Sequence, residues 1–334
     1  MRLALVVVSL FFVNAVTAAE LRIGTWNIAN LHHEDGVPLR PGAQPRDAQD
    51  FDRLKAIAAT LNLDIAALQE IGSLKALTRV FPDTEYHLKI SPLYKDGDEN
   101  RPPALRDIYT AFAIKKTTFP TIPNIDSLRA LALEHLEVGE DGKPSNRPVR
   151  DGLVMDLRFG NRDVKLLNVH LKSSCNAVSL NPVFDESKKG KANKNRYDCR
   201  TLAAQALILE NWVEQQVELG QSIVMLGDFN RQLNRISSAN RPDHFWNSIN
   251  DGAPNGLQLR KGPLGKNTTC WPRPHKLFHD EHIEFVIFDA SLDQVINPAN
   301  VSKVGMPHAD EPKYAGDLGQ KLSDHCPVVF QVQN

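Results

Sequence analysis

The stretch Ile223-Val224-Met225-Leu226-Gly227-Asp228-Phe229-Asn230 decides the fold class of this chain. It begins with an unbroken apolar run that favours a buried strand, and it ends on an acidic residue and an amide. A helix is predicted just before it, because apolar residues recur at helical spacing ahead of Gly220, at Leu202, Ala206, Leu209, Val213 and Val217. A helix that leads directly into a buried strand is typical of layered folds, in which polar groups at strand ends form the functional site.

Further strand-like runs are rich in β-branched and aromatic residues and lie at Leu21–Asn27, Ile65–Glu70, Tyr109–Lys115, Leu153–Phe159, Val164–Lys172, Ile283–Phe288 and Cys326–Val332. Many are apolar on both faces, which favours inner strands covered by helices. A second helix is predicted over residues 51–61, because its apolar residues also follow helical spacing. Polar, turn-rich segments predict loops at Pro92–Pro103, Val138–Pro148, Ser173–Cys199 and Ser302–Lys321.

Polar side chains lie at the ends of five of these strands. They are Asn27, Glu70, His170, the pair Asp228 and Asn230, and the pair Asp324 and His325. Each of them, taken alone, has a plain alternative as a cap or a satisfied turn residue. Their joint order along the chain is what indicates a shared site.

Five motifs resemble those of the endonuclease/exonuclease/phosphatase family: Thr25-Trp26-Asn27, Leu68-Gln69-Glu70, Asn168-Val169-His170-Leu171, Leu226 to Asn230 as quoted above, and Ser323-Asp324-His325-Cys326-Pro327. The resemblance extends from Leu21 to about Val332. It implies an α+β fold, a four-layer α/β/β/α sandwich with two mixed sheets packed face to face and helices outside. It also implies a metal-dependent phosphodiesterase.

The resemblance assigns catalytic roles to five residues. His325 is the base, held by Glu284; His170 and Asn230 donate to phosphate oxygens; Asp228 orients water or assists the leaving group. The family has an aspartate where this chain has Glu284, so the geometry of the base is in question there. One extra methylene still allows a carboxylate to reach an imidazole.

Metal ligands and phosphate contacts follow from the same resemblance. Hard oxygen donors suit Mg²⁺, with Mn²⁺ or Ca²⁺ as alternatives, and the expected ligands are Glu70, Asn27 and Asp324, with Asp228 as an alternative to Asp324. Tyr109 and Arg150 resemble the phosphate-contacting residues of the deoxyribonuclease I-like branch; the alternatives are a core tyrosine and a solvated arginine. A nearby pair, His32 and His33, is expected to be solvated, with metal binding as its alternative.

The N-terminus has the three-part pattern of a secretory signal peptide. Arg2 precedes an apolar run from Leu3 to Val13, and small residues follow at Ala18 and Ala19. We therefore expect residues 1–19 to be removed and residues 20–334 to form one domain that is secreted or periplasmic, with no stable membrane insertion. A buried first strand is the alternative interpretation.

Charge and cysteine content narrow the function classes. With 39 Lys plus Arg against 40 Asp plus Glu, the whole chain is not a basic nucleic-acid binder, so any attraction to phosphate must be local. The four cysteines include no Cys-x-x-Cys pair, which disfavours zinc.

Four cysteines permit three disulfide pairings. We favour Cys175 with Cys199, which would close a polar loop beside His170, and therefore Cys270 with Cys326. The enclosed segment has a basic cluster that would contact a polyanion or, alternatively, form a solvated loop; its residues are Lys188, Lys189, Lys191, Lys194 and Arg196.

The leading interpretation is a secreted nuclease whose partner is a nucleic acid substrate, with no protein partner inferred. One alternative is a secreted phospholipid phosphodiesterase of the sphingomyelinase type, since family members differ mainly in their loops. The sequence has no clear exposed apolar hairpin for membrane action. The other alternative is a binding module that has lost catalysis. The sequence does not distinguish DNA from RNA, or endo- from exonucleolytic action.

Overall fold

Two mixed sheets stacked face to face form the centre of the molecule, in a computed structural model that describes residues 20–138, 144–175, 180, 191–236, 243–264, 270, 282–307, 311–314 and 321–333. For residues 135–138, 144–147 and 191–196, only the backbone is described. The expected signal segment, residues 1–19, lies outside the described residues, as do Lys188 and Lys189.

The strands are numbered in chain order. The first sheet has the order β13 (Ser302–Lys303), β14 (Val328–Val332), β1 (Leu21–Leu31), β2 (Ile65–Ile71), β4 (Tyr109–Lys115), β3 (Tyr86–Ile90). The second sheet has the order β11 (Leu259–Gly262), β12 (Glu284–Asp289), β10 (Ser222–Asp228), β9 (Arg162–His170), β8 (Gly152–Phe159), β5 (Ile125–Leu128). A separate hairpin consists of β6 (Glu134–Val138) and β7 (Pro144–Pro148).

Each sheet has a parallel pair at its centre, β1 with β2 and β9 with β10, flanked by antiparallel strands. In the first pair Asn27 lies opposite Gln69, and in the second Asp228 lies opposite His170. Parallel neighbours end at the same edge of a sheet, so the polar residues at their ends are brought together.

The helices cover the outer faces of the sheets. They are α1 (Ala48–Leu61), α2 (Leu74–Val80), α3 (Lys191–Glu218) and α4 (His244–Ile249). One apolar cluster joins α1 and α2 to the first sheet, a second fills the space between the sheets, and a third joins α3 and α4 to the second sheet. The predicted four-layer α/β/β/α sandwich is therefore confirmed.

Several boundaries differ from the sequence prediction. The loop expected over Ser173–Cys199 is shorter, because α3 already begins at Lys191 and contains Cys199. That segment is polar, but its lysine, arginine and alanine residues are good helix formers, and polarity alone does not separate an exposed helix from a loop. The loop expected over Val138–Pro148 contains β7. The short strands β3, β5, β11 and β13 were not predicted, since only their sheet neighbours stabilise them.

The cysteines pair as favoured from the sequence. Cys175 is bonded to Cys199, and Cys270 is bonded to Cys326. The second bond attaches the chain at Cys270 directly to the residue after His325. Of the helices in the described ranges, none is long and apolar enough to span a bilayer.

Candidate active site

The site lies where the ends of the two parallel pairs face each other across the sandwich. The Asn27 amide nitrogen donates to Asp228 Oδ2 at 3.0 Å, which joins the first sheet to the second. Beneath it, the Gln69 amide donates to Asn168 Oδ1 at 2.7 Å and to the Thr25 hydroxyl at 2.9 Å. Gln69, Asn168 and Thr25 belong to the quoted motifs, but sequence reasoning gave them no role. This buried amide bridge fixes the spacing of the sheets directly under the site.

The first sheet contributes a bulge at the end of β1. The pairing register of β1 with β2 breaks between Asn27 and Leu31. Within this stretch Ala29 and Asn30 have left-handed backbone, with φ of 46° and 55°. Glu70 also has a positive φ of 60°. The bulge turns the Asn30 N–H toward Glu70 Oε2 at 2.9 Å, while the Asn27 amide lies 3.4 Å from Oε1. Such strain persists only where surrounding contacts fix it, and it clusters at functional sites.

Arg46 fixes that bulge, and no sequence signal pointed to it. Its guanidinium donates to three consecutive carbonyls, those of Ile28 at 2.7 Å, Ala29 at 2.8 Å and Asn30 at 3.1 Å. Its Nε donates to the Lys321 carbonyl. The side chain is 3% exposed, and this burial lowers its pKa to about 10. A guanidinium with this many backbone partners holds the bulge in one conformation.

The second sheet contributes Asp228 and Asn230 from the end of β10. Gly227 precedes them with a φ of 141°, and a Cβ there would lie 2.0 Å from the Val169 carbonyl oxygen, so only glycine fits. Asp228 Oδ1 accepts from the Asn230 N–H at 2.8 Å. The Asn230 amide in turn donates to the Leu171 carbonyl at 3.1 Å. Asn230 has a positive φ of 50°, which turns the chain back over the site.

His170 lies between the carboxylates of both halves. Its Nε2 is 3.6 Å from Asp228 Oδ2 and 3.9 Å from Glu70 Oε1. Burial lowers the pKa of His170 well below its usual value, with help from the positive charge of Arg150. Burial also raises the pKa of Asp228 to about 6, against the opposing influence of His325. The site therefore holds a neutral imidazole beside an unusually basic carboxylate.

His325 hydrogen-bonds through Nδ1 to Glu284 Oε1, so the glutamate does reach the ring. The Ser323 hydroxyl fixes this loop on β1, because it donates to the Asn27 carbonyl at 2.7 Å and accepts from the His325 N–H at 2.9 Å. Burial alone would lower the pKa of His325, but Asp324 and Glu284 raise it well above its usual value. Burial likewise opposes the charge on Glu284, yet the adjoining His325 lowers the pKa of that carboxyl.

Asp324 lies at the edge of the site, with Oδ1 3.6 Å from His325 Nε2 and 29% of its side chain exposed. It lines a cavity of about 290 Å³ with Asn30 and Arg40. Together with Glu70 it supplies hard oxygen donors on the side of the first sheet. Asn27, the third expected ligand, presents its amide nitrogen to Glu70, while its oxygen accepts from the Ala29 N–H at 3.0 Å.

One set of potential metal ligands is compact: atoms of Asp228, Glu284 and His325 lie within 4.8 Å of one another. The imidazole Nδ1 in that set is already bonded to Glu284, so the arrangement suits proton transfer better than metal binding. The Glu70 carboxylate is instead contacted by amide N–H groups and by the neutral ring of His170, so its oxygens are held without a direct ion pair to a Lys or Arg among the described residues. A cation therefore fits best beside Glu70.

Tyr109 and Arg150 both line a pocket of about 670 Å³ next to the site. The Tyr109 hydroxyl donates to Asp98 at 2.8 Å. Arg150 donates to the carbonyls of His170, at 3.2 Å, and Leu171. Tyr109 is 6% exposed, and the partly buried Arg150 is held against the backbone that carries His170.

The expectation that His32 is solvated was wrong. Its side chain is 3% exposed, and its Nε2 lies 3.1 Å from the Arg106 guanidinium. Burial, with Arg106 next in effect, lowers the pKa of His32 to about 4. The chain turns inward after β1, and the sequence did not indicate that turn.

Three solved structures with low sequence identity share this architecture. The Xenopus laevis APE2 catalytic domain is 17% identical, with 94% of this chain and 92% of that chain covered and a TM-score of 0.51. The human Nocturnin catalytic domain with bound sulfate anion is 14% identical, with 94% of each chain covered and a TM-score of 0.52. D. rerio TDP2 complexed with a single strand DNA product is 14% identical, with 95% and 100% covered and a TM-score of 0.50.

No curated protein sequence matches the chain significantly. The model of the Endonuclease/Exonuclease/phosphatase family matches residues 24–325, which include every strand-end residue of the site. With this match and the four-layer sandwich, the chain belongs to the endonuclease/exonuclease/phosphatase family.

Proposed function

We propose that this protein is a divalent-metal-dependent phosphodiesterase that hydrolyses nucleic acid. The observation that carries the proposal is the contact between the two halves of the site, in which the Asn27 amide links Glu70 of the first sheet to Asp228 of the second. Carboxylates, neutral histidine and a paired histidine within one network suit the hydrolysis of a charged ester. Among structures with this fold, TDP2 has been solved with a single-strand DNA product, which agrees with a nucleic acid substrate.

Glu70 would hold the metal ion, with Asp324 and Asn27 as further ligands. The fit rests on Glu70, since Asn27 would have to present its oxygen in place of its amide nitrogen. Mg²⁺ is the preferred ion, because carboxylate and amide oxygens suit it, and Mn²⁺ and Ca²⁺ are alternatives. When bound, the ion would polarise the phosphate and neutralise charge that develops on its oxygens.

In its neutral form, His325 would take the proton of the attacking water, and because its pKa is raised, that form increases as pH rises. Glu284 orients its ring through Nδ1, and the carboxylates around it stabilise the imidazolium that results. Asp228 accepts hydrogen bonds and has a pKa of about 6, so it suits orienting the water or assisting the leaving group.

His170 and Asn230 would donate to the phosphate oxygens. The lowered pKa of His170 keeps the ring neutral, so it would act as a hydrogen-bond donor and not as a second cation. Donors that are fixed before charge develops contribute most to such a reaction. Tyr109 and Arg150 would contact phosphate from the adjoining pocket.

We further propose that residues 1–19 are a signal peptide and that residues 20–334 are the mature domain, secreted or periplasmic. Two disulfides support this, because such bonds persist in oxidising compartments. N-terminal sequencing of protein recovered outside the cytoplasm tests it. A mature chain that still begins at Met1 would contradict it.

The test of function uses the mature protein with Mg²⁺, Mn²⁺ or Ca²⁺ against plasmid DNA, RNA and sphingomyelin, with EDTA controls. We expect nucleic acid cleavage that EDTA abolishes. Glu70→Ala, His170→Ala, Asp228→Ala and His325→Ala should each lower kcat about 100- to 10,000-fold with the fold retained by circular dichroism. The exposed Glu85→Ala is the matched control. Cleavage of sphingomyelin alone, or near-normal activity of Glu70→Ala, would overturn the proposal.

A further inference from the structure

The pocket of about 670 Å³ lies next to the catalytic site, and two of its lining residues bond to the residues around that site. Arg150 lines it and donates to the carbonyl of His170. Arg40 lines both this pocket and the smaller cavity that contains Asp324. The Arg40 Nε also donates to Asn30 Oδ1 at 2.8 Å, and the Asn30 N–H donates to Glu70. A ligand in the pocket would therefore lie beside a phosphate held in the catalytic site.

The pocket is strongly cationic in a chain whose formal net charge is −1. Its basic lining residues are Arg40, Lys95, Arg101, Arg129, Arg150 and Lys172. Three carboxylates also line it, those of Asp98, Asp107 and Asp151. Asp98 accepts from the Tyr109 hydroxyl at 2.8 Å, and Asp151 accepts from the hydroxyls of Ser91 and Ser127, each at 2.6 Å. With six basic residues against three acidic ones, the pocket has an excess of positive charge.

Of the six cations, Arg40 donates to Asn30 and Arg101 lies 3.6 Å from Asp98, and the other four form two groups. Lys172 is paired with Asp198 at 2.8 Å, and Arg150 is held by backbone carbonyls, so both are part of the wall. Lys95 and Arg129 are exposed, and within the described ranges neither side chain has a hydrogen bond or an ion pair. Two such cations that face one pocket favour an anion between them.

We infer that this pocket binds a second phosphate of the substrate, next to the one that is cleaved, with Lys95 and Arg129 as its principal contacts. The inference rests on the proposed function and narrows it to a polynucleotide. A diester with a single phosphate leaves the Lys95 and Arg129 position empty, whereas a chain with two successive phosphates fills both positions. Lys95 and Arg129 are then specificity-determining residues, and they take no part in the chemical step.

The test compares a dinucleoside monophosphate, which has one phosphate, with a trinucleoside diphosphate, which has two. In Lys95→Ala/Arg129→Ala, kcat/KM for the longer substrate should fall about 10- to 100-fold, mainly through KM, as expected when charge-assisted hydrogen bonds are removed. For the shorter substrate the fall should stay below about threefold by the same reasoning. The matched control is Lys55→Ala/Arg162→Ala, which removes the same charges in α1 and at the opposite end of β9 from His170.

Binding of a short fluorescent oligonucleotide, followed by anisotropy against salt concentration, gives a readout independent of cleavage. Each phosphate that the variant no longer neutralises should flatten the salt slope by about 0.7 log units on a single strand. Equal reductions on both substrates, or a slope that the double substitution leaves unchanged, would overturn the second phosphate site. Binding that depends on Lys95 and Arg129 without any hydrolysis would retain the pocket and reject the proposed function. A protein that neither binds nor cleaves would reject both.

Discussion

The two sheets contribute halves of the site that differ in exposure and in charge. The half at the end of β1 and β2 presents Glu70. Its side chain is 15% exposed, and its carboxylate is contacted by amide N–H groups and by His170. The half at the end of β9, β10 and β12 holds Asp228 and Glu284, with 1% and 2% exposed. There each carboxylate interacts with His325, and the pKa values of the group are strongly shifted.

This difference indicates a division of labour. Partly exposed hard oxygens held beside a strained bulge suit a cation, whereas buried carboxylates paired with an imidazole are suited to moving protons. One half would therefore respond to metal concentration, and the other to changes in charge around His325. Substitutions in each half test whether the division holds.

The largest effect is expected in the second half. Glu284→Gln keeps the size of the side chain but removes the charge that stabilises a protonated His325, so kcat should fall about 100- to 10,000-fold. Glu284→Asp keeps the charge and should retain kcat within about tenfold. Steady-state kinetics of both variants on the same substrate measures this. Equal kcat for Glu284→Gln and the wild type would show that the position is structural.

A smaller effect is expected in the first half, at Arg46. Arg46→Lys has three donors on a single nitrogen and cannot replace the four carbonyl bonds of the planar guanidinium, so the bulge should loosen, and the Mg²⁺ concentration for half-maximal activity should rise about tenfold. Unfolding in urea should also show a decrease in stability of about 2 kcal/mol, since buried carbonyls lose their donors.

The control for Arg46 is Arg22→Lys, because the Arg22 Nε donates to the Leu61 carbonyl at 2.8 Å away from the site. It should lose some stability without a change in metal requirement. A similar shift in the metal requirement for Arg22→Lys would remove the special role of Arg46. No shift in either variant would separate the bulge from metal binding.

The polar residues at the strand ends could be predicted from the sequence, whereas the residues that hold them in place could not. Apolar runs that end on Glu70, His170 and Asp228 give a periodic signal, and parallel strands bring such ends together. Arg46 bonds to backbone carbonyls. Every residue has one, so the residue types in the sequence do not indicate which carbonyls are bonded. The burial of His32 likewise depends on packing between segments distant in the chain. The early start of α3 was missed because polar helix formers resemble a polar loop. Local polarity therefore predicted a solvated histidine and a loop.

The next smaller effect is on the pH dependence of stability, and it comes from two buried histidines, one beside each half of the site. Burial lowers the pKa of His32 and of His282 to about 4, from an ordinary value of 6.5; Arg106 is the next cause for His32, and Lys303 for His282. The unfolded chain therefore binds more protons between these values, and stability falls as pH falls from 6.5 toward 4.

Replacing either histidine should flatten this dependence. His32→Asn and His282→Asn should each lose about 1 kcal/mol less than the wild type on going from about pH 7 to pH 5. Urea unfolding at both pH values measures the difference, which separates it from any constant cost of the substitution. If only one variant flattens the curve, the acid sensitivity belongs to one half of the site.

The smallest effect is expected from a second acidic group, which lies outside both halves. Glu210, Glu214 and Asp251 have carboxylate oxygens within 4.8 Å of one another, as in the buried group of Asp228. Burial, and then the charges of Asp251 and Glu214, raise the pKa of Glu210. Glu210 and Glu214 are one helical turn apart in α3, so their charges repel.

Removing those two charges should therefore stabilise the fold without touching the chemistry. Glu210→Gln/Glu214→Gln should leave kcat unchanged and raise stability by about 0.5 kcal/mol near neutral pH. A raised pKa means that the folded chain binds a proton more readily than the unfolded one, so the gain should shrink as pH falls and Glu210 is protonated. Thermal unfolding with and without Ca²⁺ completes the test. It asks whether three carboxylates bind a cation simply because they lie close together. If Ca²⁺ stabilises the wild type but not the variant, carboxylates that are merely close together can hold a cation. The difference between the Glu70 half and the Asp228 half of the site would then no longer explain where a cation binds.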